Sequence, residues 1–152
     1  MNQNLLAAGL ALALGAGFSA NALAQAKPET LVKQRQAAMT LQGKYFGPLG
    51  GMAQGKIPYD AGVVARNAGY LEVLAKLPWD GFNANTQGEK SAALPEIWKD
   101  QAGFKAAGDR LQDEVGKLVA ATKGGNEATV KAQLGAVGKA CGGCHEKFRQ
   151  KQ

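Results

Sequence analysis

Cys141-Gly142-Gly143-Cys144-His145 holds both cysteines and the only histidine of a 152-residue chain. C-x-x-C-H is the attachment signature of c-type haem. Two thiols three residues apart on a helix share a face, so each can add across a vinyl group of one porphyrin. The histidine follows Cys141 by one helical turn and can reach the iron from the same side. Gly142 and Gly143 offer no bulk against the macrocycle.

Other chemistries for these residues fit less well. A structural zinc site takes four protein ligands, and the chain has three candidate sulfur or imidazole donors. A thioredoxin-like C-x-x-C sits beside a βαβ unit, and no strand pattern is visible. A local disulfide is compatible with an oxidising compartment but leaves His145 unexplained. Ser-His-Asp catalysis is excluded if His145 is on iron, and no second histidine can act as a general base. The expectation is a binding or redox protein and not an enzyme. With 45% hydrophobic and 20% charged residues, the chain can bury a core and is not a disordered one.

Four helical stretches must position the motif. Pro28-Glu29 opens the first, in which Leu31, Arg35, Ala38, Met39, Gln42 and Tyr45 recur at helical steps, and Gly47-Pro48 is expected to stop it. Asp60 caps a second, with Val64, Asn67, Ala68, Leu71 and Leu74 on one face, ending at Leu77-Pro78. Residues 79–94 lack a helical period and read as a long loop in which Trp79 and Phe82 cover something apolar or simply pack in the core. Pro95 opens a third helical region, whose face runs from Phe104 through Leu111, Val115 and Leu118. Gly124-Gly125 breaks it. Asn126 caps the last helix, which carries Val130, Leu134, Val137, Cys141, His145 and Phe148. The reading is an all-α, four-helix bundle with small interior residues that leave room for one covalent haem c.

Residues 1–24 carry no charged side chain; Leu5 to Phe18 is almost entirely Leu, Ala and Gly, and Ala22-Leu23-Ala24 follows as a signal-peptidase site. An exported, periplasmic protein of residues 25–152 is expected, not embedded in a membrane. The formal charge of +6 is spread along the chain without a basic block, so no nucleic-acid partner is expected.

The chain resembles cytochrome c′, a class II c-type cytochrome, over essentially all of residues 25–152. The resemblance is carried by Lys27-Pro28-Glu29, Arg35-Gln36-Ala37-Ala38-Met39, Leu77-Pro78-Trp79, Pro95-Glu96-Ile97-Trp98 and Cys141 to Arg149. Class I relatives place the motif near the mature N-terminus; here it lies close to the C-terminal end. The resemblance implies an up-down-up-down bundle, of which this family is a standard example. It implies thioethers at Cys141 and Cys144, His145 as iron ligand, and Arg149 on the proximal face or merely at a helix C-terminus. Arg35 and Gln36 match positions that contact the haem and its propionates. Met39 matches a bulky apolar residue over the sixth position; in a related low-spin branch a methionine there ligates iron. Methionine more often packs than coordinates, so an unligated Met39 over a five-coordinate, high-spin iron is favoured. The implied function is NO and CO binding together with electron transfer to an unidentified partner, in a homodimer formed through the first two helices. The alternatives are a low-spin His145/Met39 electron carrier and an exported module without haem.

Overall fold

The computed structural model describes residues 26–151; the expected signal peptide lies outside the described residues. The architecture is α1 (Pro28–Ala53), α2 (Ala61–Leu74), a short α3 (Glu96–Lys99), α4 (Gln101–Thr122) and α5 (Glu127–Phe148). The four long helices form a closed ring of neighbours: α1 packs on α2 and α5, and α4 completes the ring between them. No extended strand occurs among the described residues, only one antiparallel bridge between Ala93 and Arg149. None of the helices is long and apolar enough to cross a membrane.

Side chains that satisfy the first free N–H groups start three of the helices. Asp60 accepts from Val63 N–H at 2.9 Å, Asp100 from Gly103 N–H at 2.9 Å, and Asn126 from Thr129 N–H at 2.9 Å. Asp100 divides the third helical region, expected as one piece, into α3 and α4.

The first helix is longer than its sequence implies. Gly47-Pro48 does not stop it; α1 continues to Ala53 with Pro48 inside. An interior proline costs about 3 kcal/mol. The extension buries Leu49 (0% exposed) and Met52 (5%), each worth roughly 1.5–3 kcal/mol, which offsets that cost. Met52, which lies beyond the stop expected at Gly47-Pro48, is therefore a core residue. The helix ends where Gly55 takes φ +69°, with Gly55 N–H bonded to Met52 C=O (3.1 Å) and Lys56 N–H to Gly51 C=O (2.9 Å).

The core is a stripe from each long helix: Leu49, Val64, Leu71, Val115, Leu118, Val130, Leu134 and Val137 are all at most 3% exposed. The buried face of α2 is the one its spacing indicates. Residues 79–94 contain two 3₁₀ turns, Trp79–Phe82 and Ala84–Thr86, and cross from α2 to α3 along α1.

Candidate haem-binding site

A cavity of about 640 Å³ opens between α1, α4, α5 and the 79–94 segment. Arg35, Gln36 and Met39 of α1 line it, as do Cys141, Cys144 and His145 of α5 and Arg149 just beyond. All seven residues singled out in the sequence thus face one space. Met39 is half-buried on the α1 wall. Phe82 lines the cavity too; Trp79 does not. Trp79 packs edge-on to Phe104 at 5.7 Å between ring centres and donates from Nε1 to Ala75 C=O at 2.6 Å.

Aromatic rings form a continuous wall. Phe82 meets Phe104 at 4.9 Å and Phe104 meets Phe148 at 5.3 Å, both edge to face. Phe46, Phe104 and Phe148 line the cavity but were not singled out from sequence. Phe46 does carry a signal, since it lies two turns beyond Met39 on the same helix. Phe104 and Phe148 are indistinguishable from core residues by spacing alone.

Electrostatics in the cavity favour an anionic occupant. Its lining includes two arginines and no carboxylate. Arg35 is 3% exposed, and none of the ion pairs among the described residues includes it. Its guanidinium donates from Nη1 to Gly81 C=O (2.5 Å) and Thr86 Oγ1 (3.0 Å), and from Nη2 to Ser91 Oγ (3.0 Å). Burial pushes its pKa below the usual arginine value. Three of five guanidinium N–H groups are thereby used, and two remain for a ligand carboxylate.

The motif side chains sit where their chemistry needs them. Cys141 and Cys144 are half-buried, and burial raises both thiol pKa values, with Cys144 adding to the shift at Cys141. Burial and then the positive Arg149 lower the pKa of His145, favouring the neutral imidazole that binds metals. A cavity of this volume, apolar at its walls, with two thiols and an imidazole on one helix and a buried cation opposite, fits a porphyrin bearing carboxylates. Fold and site together define a helical-bundle protein of the c-type haem class.

Comparison with known proteins gives the family. The cytochrome c′ family model matches residues 30–149. Cytochrome c′ of Rubrivivax gelatinosus is 46% identical, over 82% of this chain and 98% of the relative; its crystal structure superposes with a TM-score of 0.77. A nitric oxide complex of a variant cytochrome c prime from Alcaligenes xylosoxidans is 41% identical, with a TM-score of 0.76 over 84% of this chain and 99% of the other. Cytochrome c-554 of Cereibacter sphaeroides is 35% identical over 81% of this chain and 82% of the relative. The chain belongs to the cytochrome c′ family, whose prosthetic group is covalently bound haem c.

Proposed function

We propose that this chain is a periplasmic cytochrome with one high-spin, five-coordinate haem c that binds NO and CO and also exchanges electrons, and that it is not an enzyme. The observation that carries this reading is the largely apolar cavity shared by His145 and the α1 wall. When bound, haem supplies a one-electron couple and a coordination position for diatomic gases. Cys141 and Cys144 hold it covalently, and His145 offers the imidazole. Arg35 balances a carboxylate. Met39, Phe46 and Phe82 exclude water from the side facing α1. The nitric oxide complex of the Alcaligenes relative supports the gas ligand.

A second reading, a low-spin carrier with His145 and Met39 as axial ligands, is favoured by one fact: both residues line the same cavity. Absorption spectra of both redox states, with and without NO, separate the two. The first reading expects a high-spin spectrum that shifts on NO addition. A low-spin spectrum that is lost in Met39→Ala establishes the second. Mass spectrometry of the mature protein should show one added haem, and Cys141→Ala with Cys144→Ala should abolish it; an unmodified wild-type mass refutes both readings. The same measurement locates the mature N-terminus, expected after Ala24.

Homodimer formation through α1 and α2 is part of the proposal. Leu41 of α1, Tyr70 and Val73 of α2 and Leu77 just beyond α2 are 40–60% exposed, apolar surface that a second copy could cover. Sedimentation should give a dimer that Val73→Lys dissociates; a wild-type monomer refutes it.

A further inference from the structure

Residues 79–94 are fastened to several helices: Trp79 Nε1 donates to Ala75 C=O at the end of α2 (2.6 Å), Trp98 Nε1 of α3 donates to Asn83 C=O (3.1 Å), and two further sets of bonds reach α1 and α5. At one end, Arg35 of α1 binds Gly81 C=O, Thr86 Oγ1 and Ser91 Oγ at 2.5–3.0 Å. At the other, Leu94 N–H donates to Phe148 C=O (3.0 Å) and Gln150 N–H to Ala92 C=O (2.9 Å), which ties the segment to the end of α5. Between these points Phe82, Ser91, Ala92 and Ala93 wall the cavity.

The Arg35 end is built for close fit. A Cβ at Gly81 would lie 2.8 Å from Arg35 Cβ and 2.8 Å from Leu31 C=O, so only glycine lets the segment approach α1. The guanidinium carbon stands 4.3 Å from the Phe82 ring centre, a cation–π contact that seats the ring. Thr86 is 0% exposed, and its hydroxyl donates to Asn83 C=O at 2.8 Å while it accepts from Arg35. The three acceptors are spread over eleven residues, 81–91, of a segment that has little regular structure of its own.

We infer that Arg35 is a positioning residue that latches the 79–94 segment onto α1 and thereby limits the size of ligand the cavity admits. The inference rests on the reading of the cavity as a gas-binding haem site. With the latch closed, Phe82 and Ser91–Ala93 form a fixed wall that passes a diatomic molecule. With the latch weakened, the segment keeps its fastenings at Trp79, at Asn83 and on α5 but loosens between Asn83 and Ala92, so a branched or longer ligand enters while the haem attachment on α5 is untouched.

Thr86→Val tests this, because Thr86 lies outside the cavity lining and valine keeps its volume. Removing an acceptor from a buried charged donor is worth about tenfold or more in a local opening equilibrium. In the haem-loaded ferrous protein, n-butyl isocyanide should bind about tenfold faster in Thr86→Val than in wild type, with CO changed less than about threefold. Thr86→Ser, which keeps the hydroxyl, should behave as wild type. Hydrogen exchange on the same proteins should show faster exchange of amides 81–91 with α2 and α4 unchanged. Equal acceleration of both ligands, no acceleration of the isocyanide, or unchanged exchange at 81–91 overturns the latch. If wild type binds neither ligand, the gas-binding reading fails and the exchange result alone decides the latch.

Discussion

Two glycines of α4 should respond unequally to the same substitution. Glycine to alanine in a helix interior gains about 1 kcal/mol from backbone entropy. At Gly116 nothing lies within 4 Å of an added Cβ, so Gly116→Ala should raise stability by about that amount. At Gly108 an added Cβ would stand 2.9, 3.0 and 3.1 Å from three carbons of the Trp79 ring. That ring cannot retreat freely: its Nε1 is bonded to Ala75 C=O, and Phe82 and Phe104 back it at 6.4 and 5.7 Å. Overpacking of this kind costs about 1–3 kcal/mol, which cancels or outweighs the helix gain. Gly108→Ala should therefore be less stable than Gly116→Ala by about 1–3 kcal/mol. For a domain of this size each kcal/mol moves Tm by roughly 3–5 °C, so the two variants should melt about 3–15 °C apart. Thermal unfolding of the haem-loaded proteins followed by circular dichroism measures it, with near-ultraviolet bands reporting the tryptophan. Equal Tm values for the two variants would refute the argument that Trp79 is rigidly seated on α4.

Gly55→Ala should cost about 1–2 kcal/mol in denaturant unfolding, because φ +69° is unfavourable for any residue with a Cβ. Asn126→Ala removes the acceptor for Thr129 N–H and should cost about 1 kcal/mol in the same assay. Asp100 gives a pH signature. The Lys147 ammonium and the Gly103 N–H hold its carboxyl below the ordinary 3.8. A group with a depressed folded-state pKa stabilises above its unfolded value and loses that contribution as pH falls through the folded one. Stability should therefore decline on acidification below pH 3.8 more steeply in wild type than in Asp100→Asn. Urea midpoints from pH 5 to pH 2.5 measure this, and parallel profiles would remove Asp100 from the account.

The site was legible where its chemistry is local. Cys141, Cys144 and His145 declare themselves because thioether attachment needs a fixed spacing; helical period places Arg35 and Met39 on one face of α1, but the haem-facing roles of Arg35, Gln36 and Met39 rest on the resemblance to cytochrome c′. Caps at Asp60 and Asn126 were readable for the same reason. The end of α1 was misjudged because Pro48 is a local stop signal overridden by burial of Leu49 and Met52 at long range. The break at Asp100 had a signal, an aspartate three residues before Gly103, that the strong apolar period of α4 concealed. Nothing local marks Thr86 or Ser91 as partners of Arg35, since they lie 51 and 56 residues away in a turn-rich stretch. Long-range polar bonds leave no periodicity.

Arg35 shows how a single side chain joins these levels. A spacing argument places it on the inner face of α1, where a charge is costly unless it is well partnered. The structure gives it three neutral oxygen acceptors and an aromatic face, which answer its hydrogen-bonding needs but not its charge. Neutral acceptors alone do not account for a cation at 3% exposure when a methionine or leucine would fill the same volume at less cost. Among the described residues the cavity beside it is lined by no carboxylate, which leaves room for a balancing negative charge on an occupant. On the function proposed above a porphyrin carboxylate would supply it, which would make the buried arginine a consequence of the haem and the latching of residues 79–94 a use of its other donors. Loss of the haem should therefore loosen that segment as well as empty the cavity. Faster amide exchange at 81–91 in the haem-free Cys141→Ala, Cys144→Ala protein, beyond any change in α2, is the expected mark of that link. Equal exchange in both forms would separate the charge argument from the latch.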